Sequence, residues 1–373
     1  MSLSAVELRR ELHINPEPSF KEFAATSLIE ENISKFSSGL DYIRILKPLP
    51  TGLIVEYRAA GREEPFVLVR ADMDALKMDE ASGCGYKSVN GFMHACGHDV
   101  HCAILYGFIR RAAGYEVIKN FLFLFQPAEE SGGGAELVLK SGILDKYNIS
   151  SAYALHVNDE FEEGAVASSD GVLFASARET DIEFYGKASH IAFPELGFNA
   201  LKAARLFLDA VEEEALRYGG RLIFGVGKLR AGEIRNILPA RAEIEGSIRA
   251  LSTSVSDEFY EKIAVILRGV KKSLKVDFNL KTGSYYPEVS VDSGLFSRAR
   301  ALLDGKVRFI DCGHKLTGED FGFISKRYPS FMFWLGTGSP GAEPAGLHNP
   351  KFFPPESVIE KGVEILTLLL AGV

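Results

Sequence analysis

The chain has 373 residues, of which 46% are hydrophobic and 25% are charged, and its formal net charge is −8. This composition is typical of a folded globular protein, and the negative charge excludes a general attraction for nucleic acid. No stretch approaches the roughly 18 consecutive apolar residues of a membrane span. The first residues, M-S-L-S-A-V-E-L-R-R-E-L, contain no apolar signal core. We therefore expect a cytoplasmic protein, in two domains at this length, that binds neither membrane nor nucleic acid.

The first 175 residues predict alternating helices and strands. The predicted helices cover 4–12, 21–36 and 98–113, and the short apolar runs typical of buried strands cover 66–71, 121–125 and 152–155. Each run leads into polar side chains, which are Asp72 and Asp74, then Glu129 and Glu130, then His156. Ligands of open α/β sheets bind at the carboxyl ends of the strands, so these segments are predicted to converge on one crevice.

Residues 176–286 predict a separate domain. Strands are predicted over 180–185, 222–228, 242–248 and 276–281, and helices over 199–216 and 256–273. This β-α-β-β-α-β order is the ferredoxin-like arrangement. A strand over 330–335 and an apolar helix over 356–370 follow it. We predict an α/β protein whose catalytic domain comprises 1–175 and 287–373, with a ferredoxin-like α+β domain inserted over 176–286.

The segment M-H-A-C-G-H-D-V-H, residues 93–101, is unusually rich in metal-ligating residue types. It holds three of the eight histidines and one of the four cysteines, which are all expected to be reduced. Such density favours a metal site, and Gly97 would let the chain turn so that Cys96 and His98 converge. His94 and His101 flank this pair, and a helix starting here would put His98 and His101 on one face. The alternative is that the cluster packs against a helix or caps it.

Eight segments spread over almost the whole chain resemble the metal-dependent amidohydrolases of the M20 peptidase family. The resemblance is to the branch with C-G-H-D in place of the more usual carboxylate ligand. The segments are R-R-E-L-H-I-N-P-E-P-S-F-K-E-F (9–23), R-A-D-M-D-A-L (70–76), 93–101, F-L-F-Q-P-A-E-E (123–130), A-L-H-V (154–157), N-I-L-P (236–239), G-E-D-F-G (318–322) and L-H-N-P (347–350). Within the branch, residues 316–336 are most similar to bacterial deacetylases of N-acetyldiaminopimelate, which act in the acetylated route to lysine. The family implies a phosphorylase/hydrolase-like catalytic domain and a lid domain that forms a homodimer.

The resemblance also implies a site that holds two metal ions. The ligands would be Cys96, His98, Glu130, His156 and His348, with Glu129 as the general acid/base. Side-chain chemistry agrees, because carboxylate, imidazole and one thiolate suit Zn²⁺, Mn²⁺ or Co²⁺, and a bridging ligand holds two ions roughly 3.5 to 4 Å apart. Neighbours on an extended backbone point apart, so Glu129 and Glu130 are expected to differ in role. Without this context an adjacent glutamate pair would be a solvated surface.

Two aspartates precede the cluster, and their roles are expected to differ. Asp72 and Asp74 point to opposite sides if the strand continues, so one should orient a ligand or Glu129. Other branches of the family have a histidine ligand at the position of Asp72. We favour Asp72 for the catalytic role, although either aspartate could instead cap a turn.

The inserted domain carries the residues that the resemblance assigns to substrate binding. The segment G-K-A-S-H (186–190) resembles the motif whose histidine polarises the scissile carbonyl, which implies that role for His190. Asn236 and Arg249 resemble the residues that bind the carboxylate of the substrate, and a guanidinium suits a carboxylate. Outside this context, such side chains would be structural or solvated. Two positions depart from the pattern, because Glu195 stands in place of a common second histidine and Lys77 in place of a proline.

These features predict an enzyme that hydrolyses the amide bond of an N-acyl amino acid. The best match is N-acetyl-LL-2,6-diaminopimelate, which would give acetate and LL-2,6-diaminopimelate. A broader aminoacylase, an amidohydrolase of auxin–amino-acid conjugates and a carboxypeptidase are alternatives with the same site. A non-catalytic metal-binding protein on this fold is an alternative of another class, and it would need neither Glu129 nor His190. The glycines 132–134 lack the lysine and hydroxyl of a phosphate loop, so nucleotide chemistry is not expected.

Overall fold

The computed structural model describes residues 2–59, 63–114, 119–339 and 341–370. The helices are α1 (Ala5–Ile14), α2 (Phe23–Phe36), α3 (His98–Gly114), α4 (Gly134–Lys140), α5 (Ala200–Leu216), α6 (Thr253–Leu274), α7 (Ser293–Leu303), α8 (Gly322–Ser325) and α9 (Ser357–Leu370). Short 3₁₀ helices span Leu144–Lys146, Pro194–Leu196 and Gly219–Arg221. The strands are β1 (Ile43–Leu46), β2 (Leu53–Tyr57), β3 (Phe66–Asp72), β4 (Leu76–Lys77), β5 (Phe92–Met93), β6 (Asn120–Gln126), β7 (Ile149–Glu162), β8 (Val166–Ser168), β9 (Gly171–Phe174), β10 (Ser176–Tyr185), β11 (Ser189–His190), β12 (Leu222–Ala231), β13 (Ile237–Leu238), β14 (Arg241–Ala250), β15 (Asp277–Tyr286), β16 (Val289–Val291), β17 (Phe309–Asp311) and β18 (Ser330–Gly338).

The chain divides into two compact units. The first comprises the residues up to Leu173, Val289–His314 and those from Phe323 onward, and the second comprises Phe174–Glu288 and Lys315–Gly322. Residues Lys315–Gly322 group with the second unit, whereas the sequence analysis places them in the catalytic domain, and the domain bounds stay a prediction. Within the second unit, the Ala175 N–H donates to the carbonyls of Lys315 and Thr317, at 3.0 and 3.1 Å.

The first unit is built on an eight-stranded sheet of order β1-β2-β6-β3-β7-β18-β8-β17. The central strands β6, β3, β7 and β18 are mutually parallel, whereas β1 and β2 pair in antiparallel fashion at one edge. Strands β3 and β6 are buried along their whole length, which explains their continuous apolar sequences. Helix α3 packs against α1, α9 and β3. The predicted α/β fold is confirmed, and four parallel strands end on one edge of the sheet.

The length of β7 and the start of α1 are two local features of the first unit, and the length of β7 decides where His156 lies. The sequence analysis predicts that the strand ends before His156. Strand β7 instead continues to Glu162, so His156 lies within it. The strand continues because β18 pairs alongside it, with Trp334 opposite His156. Helix α1 begins at a capping box, in which the Ser4 hydroxyl accepts from the Glu7 N–H and the Glu7 carboxylate accepts from the Ser4 N–H.

The second unit has the predicted β-α-β-β-α-β order. Its four-stranded sheet has the order β12-β14-β10-β15 with antiparallel neighbours, and α5 and α6 pack against it. Asn199 caps α5 by accepting from the Lys202 N–H at 3.0 Å. The core includes the fully buried rings of Phe184, Phe207 and Phe259. Among the described residues, no helix is both long and apolar enough to cross a bilayer.

Candidate active site

The predicted cluster forms at the carboxyl ends of the parallel strands of the first unit. Asp72 ends β3 and is opposite Gln126, the last residue of β6. Gly97, at φ +82°, turns the chain sharply before α3, and a Cβ there would lie 2.4 Å from the Val157 side chain. The Gly97 carbonyl then accepts from the N–H groups of Val100 and His101. Because the turn and the helix start are contiguous, Cys96 and His98 both face the end of the sheet.

The five predicted ligands come together as two groups that share one thiolate. Ligand atoms of Cys96, His98 and His156 lie within 4.8 Å of one another, and so do those of Cys96, Glu130 and His348. The Cys96 Sγ lies 3.3 Å from the His156 Nε2. His348 comes from a distant loop, and its N–H donates to the Ala95 carbonyl at 3.0 Å. Two cation positions sharing Cys96 fit this arrangement.

Hydrogen bonds set the tautomers of the two buried histidines. Nδ1 of His156 donates to the Val157 carbonyl at 2.8 Å, and Nδ1 of His98 donates to the Asp74 carbonyl at 2.9 Å. In the neutral form of each ring, Nε2 therefore has a lone pair available to a metal. The His98 Nε2 lies 3.9 Å from the Glu130 Oε1. Both atoms are buried, and neither has a hydrogen-bond partner in the described part of the chain. Buried polar atoms are normally paired, so these two atoms fit a bound cation.

The electrostatics of the cluster also fit a cation. Burial lowers the pKa of His98, but Asp72, Asp74 and Glu130 outweigh that effect and raise it to about 10. Burial alone would raise the pKa of Asp72, yet Arg70 and His98 hold it well below its usual range. Burial takes the pKa of His156 well below its usual value, which leaves its imidazole neutral and able to ligate. The Asp72 carboxylate is thus ionised, and positive charge is favoured beside it.

Asp72 and Asp74 have different contacts. Asp72 accepts from the Arg70 guanidinium at 2.6 Å and from the His101 Nδ1 at 2.5 Å. The His101 Nε2 in turn accepts from the Val157 N–H at 2.9 Å, so both ring nitrogens of His101 are engaged within the protein. The Asp72 Oδ2 lies 3.7 Å from the His98 Nε2. Asp72 therefore holds a flanking histidine and also lies beside a candidate ligand.

Asp74 contacts the backbone of the glutamate pair directly. Its two carboxylate oxygens accept from the N–H groups of Glu129 and Glu130, at 3.1 and 3.0 Å, and from the Ser19 hydroxyl at 2.6 Å. The His98 Nδ1 lies 3.3 Å from the same carboxylate. Sequence reasoning left open which aspartate orients Glu129, and these contacts favour Asp74. The catalytic role favoured for Asp72 stays a prediction.

The three predicted substrate-binding residues lie in the second unit. His190 on β11 pairs with Ile237 on β13, which brings it close to Asn236, whose carbonyl accepts from the Ile191 N–H. The His190 Nδ1 accepts from the Ala192 N–H at 3.1 Å, so the proton of the neutral ring is on Nε2. Arg249 lies on β14, and burial lowers its pKa. Their roles stay predictions.

A protein-family model and several relatives match the chain. The model of peptidase family M20/M25/M40 matches residues 68–372. The chain belongs to this family. It is 37% identical to an N-acetyldiaminopimelate deacetylase of Exiguobacterium sibiricum over 366 aligned residues. This alignment covers 97% of each chain. The chain is 34% identical over 369 residues to one of Streptococcus thermophilus, which covers 96% of each chain.

Solved structures of the family have the same fold. An aminohydrolase from methicillin-resistant Staphylococcus aureus superposes with a TM-score of 0.88 at 25% identity, covering 98% of this chain and 95% of that one. A dinuclear metal-binding M20 peptidase from Bacillus subtilis superposes with a TM-score of 0.83 at 26% identity, covering 98% of this chain and 96% of that one. The predicted family is confirmed, and the chain is a hydrolase of amide bonds.

Sequence reasoning missed Ser19 and Glu22, which contact the residues that position Glu129 and Glu130. Ser19 bonds to Asp74, and Glu22 accepts from the Ala128 N–H at 2.8 Å. Both residues lie in the segment 9–23, which was recognised only as part of the family resemblance. Their contacts are to backbone amides and to a second carboxylate, and neither leaves a spacing signal in the sequence.

The Gly97 turn generates a prediction about metal retention. A Gly97→Ala variant would place a Cβ against Val157 and penalise the positive φ, so Cys96 and His98 should separate and metal should be lost. Gly91→Ala is the matched control, because Gly91 has the same φ of +82° with no atom within 4 Å of its added Cβ. Elemental analysis after dialysis should show depletion only in Gly97→Ala. Equal metal contents in the two variants would contradict the role of this turn.

Proposed function

We propose that the protein is a metal-dependent deacetylase that hydrolyses N-acetyl-LL-2,6-diaminopimelate to acetate and LL-2,6-diaminopimelate, a step in the acetylated route to lysine. The observation that carries the proposal is the pair of ligand groups sharing Cys96, with Glu129 beside Glu130 and His98. The relatives named N-acetyldiaminopimelate deacetylase, at 33–37% identity, support the substrate.

The cofactor in this proposal is a pair of divalent cations, Zn²⁺ or Mn²⁺/Co²⁺, held by Cys96, His98, Glu130, His156 and His348. The name of the dinuclear Bacillus subtilis relative supports the number of ions, and the two groups around one thiolate support their placement. When bound, the ions would lower the pKa of a water molecule and polarise the amide carbonyl.

The protein residues supply proton transfer and orientation. Glu129, which is largely buried, accepts a proton from the attacking water and delivers it to the nitrogen as the C–N bond breaks. Asp74 holds the Glu129 N–H, and Asp72 fixes His101 beside His98. His190 donates from Nε2 to the scissile carbonyl oxygen, while Asn236 and Arg249 bind a carboxylate of the substrate. The Ala192 N–H donates to Nδ1 of His190, and the position of Nε2 as the remaining donor atom supports this part of the scheme.

We further propose a homodimer formed through the second unit, and a cytoplasmic location. Strand β12 is an edge of its sheet and exposes the apolar side chains of Ile223, Val226 and Leu229. An unpaired edge with apolar side chains favours pairing with a second copy. The cysteines of the described part of the chain form no disulfide, which fits a reducing compartment.

Substitution of Glu129 and substitution of Glu130 should have different effects on turnover and on metal content. Glu129→Gln should retain both metals and lose turnover, with kcat reduced on the order of 10²–10⁴-fold, because the amide neither accepts nor delivers the proton. Glu130→Gln should lose metal, because it removes an anionic ligand. Elemental analysis and steady-state kinetics measure both effects. Near-full turnover by Glu129→Gln would contradict its role.

A substrate panel tests the proposed reaction. The metal-loaded protein is assayed with N-acetyl- and N-succinyl-LL-2,6-diaminopimelate, simple N-acetyl amino acids, an auxin–amino-acid conjugate and a dipeptide. We expect kcat/KM to be highest for N-acetyl-LL-2,6-diaminopimelate, with release of acetate. Comparable values for the simple N-acetyl amino acids would indicate a broader aminoacylase. Binding of metal without hydrolysis of any member would favour the non-catalytic alternative.

The dimer proposal is tested on the exposed edge of β12. Analytical ultracentrifugation should show a dimer for the unmodified chain and a monomer after Ile223→Asp with Leu229→Asp, because charges oppose burial of this edge. Leu216→Asp is the control, since Leu216 is 80% exposed at the end of α5. A monomer before any substitution, or a dimer that persists in the double variant, would contradict the interface.

A further inference from the structure

Three successive backbone amides at the catalytic segment each donate to a buried carboxylate. The N–H groups of Glu129 and Glu130 donate to Asp74, and the Ala128 N–H donates to the Glu22 Oε1 at 2.8 Å. The Ala128 carbonyl accepts from the Gly134 N–H at 3.0 Å. Both peptide groups around Ala128 are thus fixed immediately before Glu129. The direction in which the chain enters Glu129 is set at this residue.

Ala128 has an unfavourable backbone conformation. Its φ is +57°, in the left-handed region that residues with a Cβ rarely adopt. Phe20, whose N–H donates to the same Glu22 oxygen at 3.0 Å, has a φ of +63°. One carboxylate oxygen therefore holds two strained residues. Strain of this kind persists only where surrounding contacts over-determine the conformation, and it concentrates at functional sites.

The contacts of Glu22 are not those of an ordinary helix cap. Glu22 occupies the N-cap position of α2, yet its side chain accepts no hydrogen bond from that helix. It is fully buried and extends instead to Phe20 and Ala128. Burying a carboxylate is costly unless it is well bonded. Stabilising α2 does not account for these contacts, whereas holding the segment before Glu129 does.

We propose that Glu22 is a positioning residue for the proton-transfer step: by holding the Ala128 N–H, it keeps Ala128 in the left-handed conformation that directs Glu129 to the reacting atoms. The inference rests on the proposed function, in which Glu129 moves the proton. Loss of Glu22 lets Ala128 relax to negative φ, which displaces Glu129. Four of the candidate ligands lie on other segments, and the fifth, Glu130, keeps its own N–H bond to Asp74. The consequence is a defect in kcat more than in KM or metal content.

The experiment compares Glu22→Ala, Ala128→Gly and the double variant. Glu22→Ala should lower kcat about 10–100-fold, the scale of a small misplacement of a catalytic group, with KM changed by less than about threefold and metal content retained. Glycine adopts positive φ without penalty, so Ala128→Gly should restore kcat of Glu22→Ala by about threefold or more, measured against Ala128→Gly alone. Recovery by a substitution at a second site is not expected of a residue that only stabilises the fold.

Glu17→Ala is the matched control, because the Glu17 carboxylate also accepts a backbone N–H, that of Ala25 in α2, at 2.9 Å. It should keep kcat close to that of the unmodified chain. If Glu22→Ala does not fold, Glu22→Met, which keeps the approximate volume but removes the accepting oxygen, is compared with and without Ala128→Gly, and the same recovery is expected. An undiminished kcat in the Glu22 variants, an equal loss in Glu17→Ala, or no recovery by Ala128→Gly would overturn the inference.

A substrate-free measurement separates this inference from the proposed function. Hydrogen exchange of the Ala128 amide should accelerate in Glu22→Ala and not in Glu17→Ala. If the unmodified chain hydrolyses no member of the substrate panel, the proposed function fails while the exchange result still tests the contact. If the unmodified chain is active and Glu22→Ala matches it, the positioning role alone fails.

Discussion

The Cys96 Sγ is the atom on which the candidate site depends, because it is common to both groups of candidate ligands. A terminal ligand can shift with its own loop, but a shared one fixes the position of both groups at once. The backbone on each side determines where Cys96 lies. Gly97 supplies the left-handed turn into α3, and the Ala95 carbonyl accepts the His348 N–H that closes the second group. A thiolate here also favours the softer divalent metals over Mg²⁺ or Ca²⁺.

Charge is distributed around this thiolate so that the ligands remain available. Arg70 compensates Asp72, and Asp72 with the Val157 N–H occupies both nitrogens of His101. His101 is therefore a support, although it lies in the same histidine-rich segment as the ligands. The Nδ1 groups of His98 and His156 donate to backbone carbonyls, which leaves Nε2 as the atom that a metal could reach. Hydrogen bonds that consume one nitrogen of each ring thus decide which histidines can ligate.

The sequence predicts most of the fold and the residues of the candidate metal site. It does so where a local pattern exists, such as an apolar run or the start of a helix. The buried runs F-V-L-V-R-A and F-L-F-L-F become β3 and β6, and α3 begins at His98 as expected. The continuation of β7 through His156 was not predicted, because it depends on pairing with β18, which is distant in the sequence. Residues Lys315–Gly322 group with the second unit, where Lys315 and Thr317 accept from the Ala175 N–H, and a contact between such distant residues leaves no local signal in the sequence. Glu22 and Asp74 act on backbone amides, and backbone amides carry no residue-type pattern.

Backbone strain connects these observations. Among the described residues, the non-glycine positions with positive φ are Phe20, Ala128, Lys275 and His348. Lys275 is accounted for as the C-cap of α6, where its N–H donates to the Lys271 carbonyl. The other three lie around the candidate site, and each has its N–H held by a specific acceptor: Glu22 for Phe20 and Ala128, and the Ala95 carbonyl for His348. A chain that needed only to fold would place glycine at such positions, as this one does at 97 and 132. Phe20, Ala128 and His348 keep a Cβ at positive φ, and a hydrogen bond fixes the amide of each. This arrangement costs local stability but fixes the direction of the backbone. A site assembled from distant segments requires that precision.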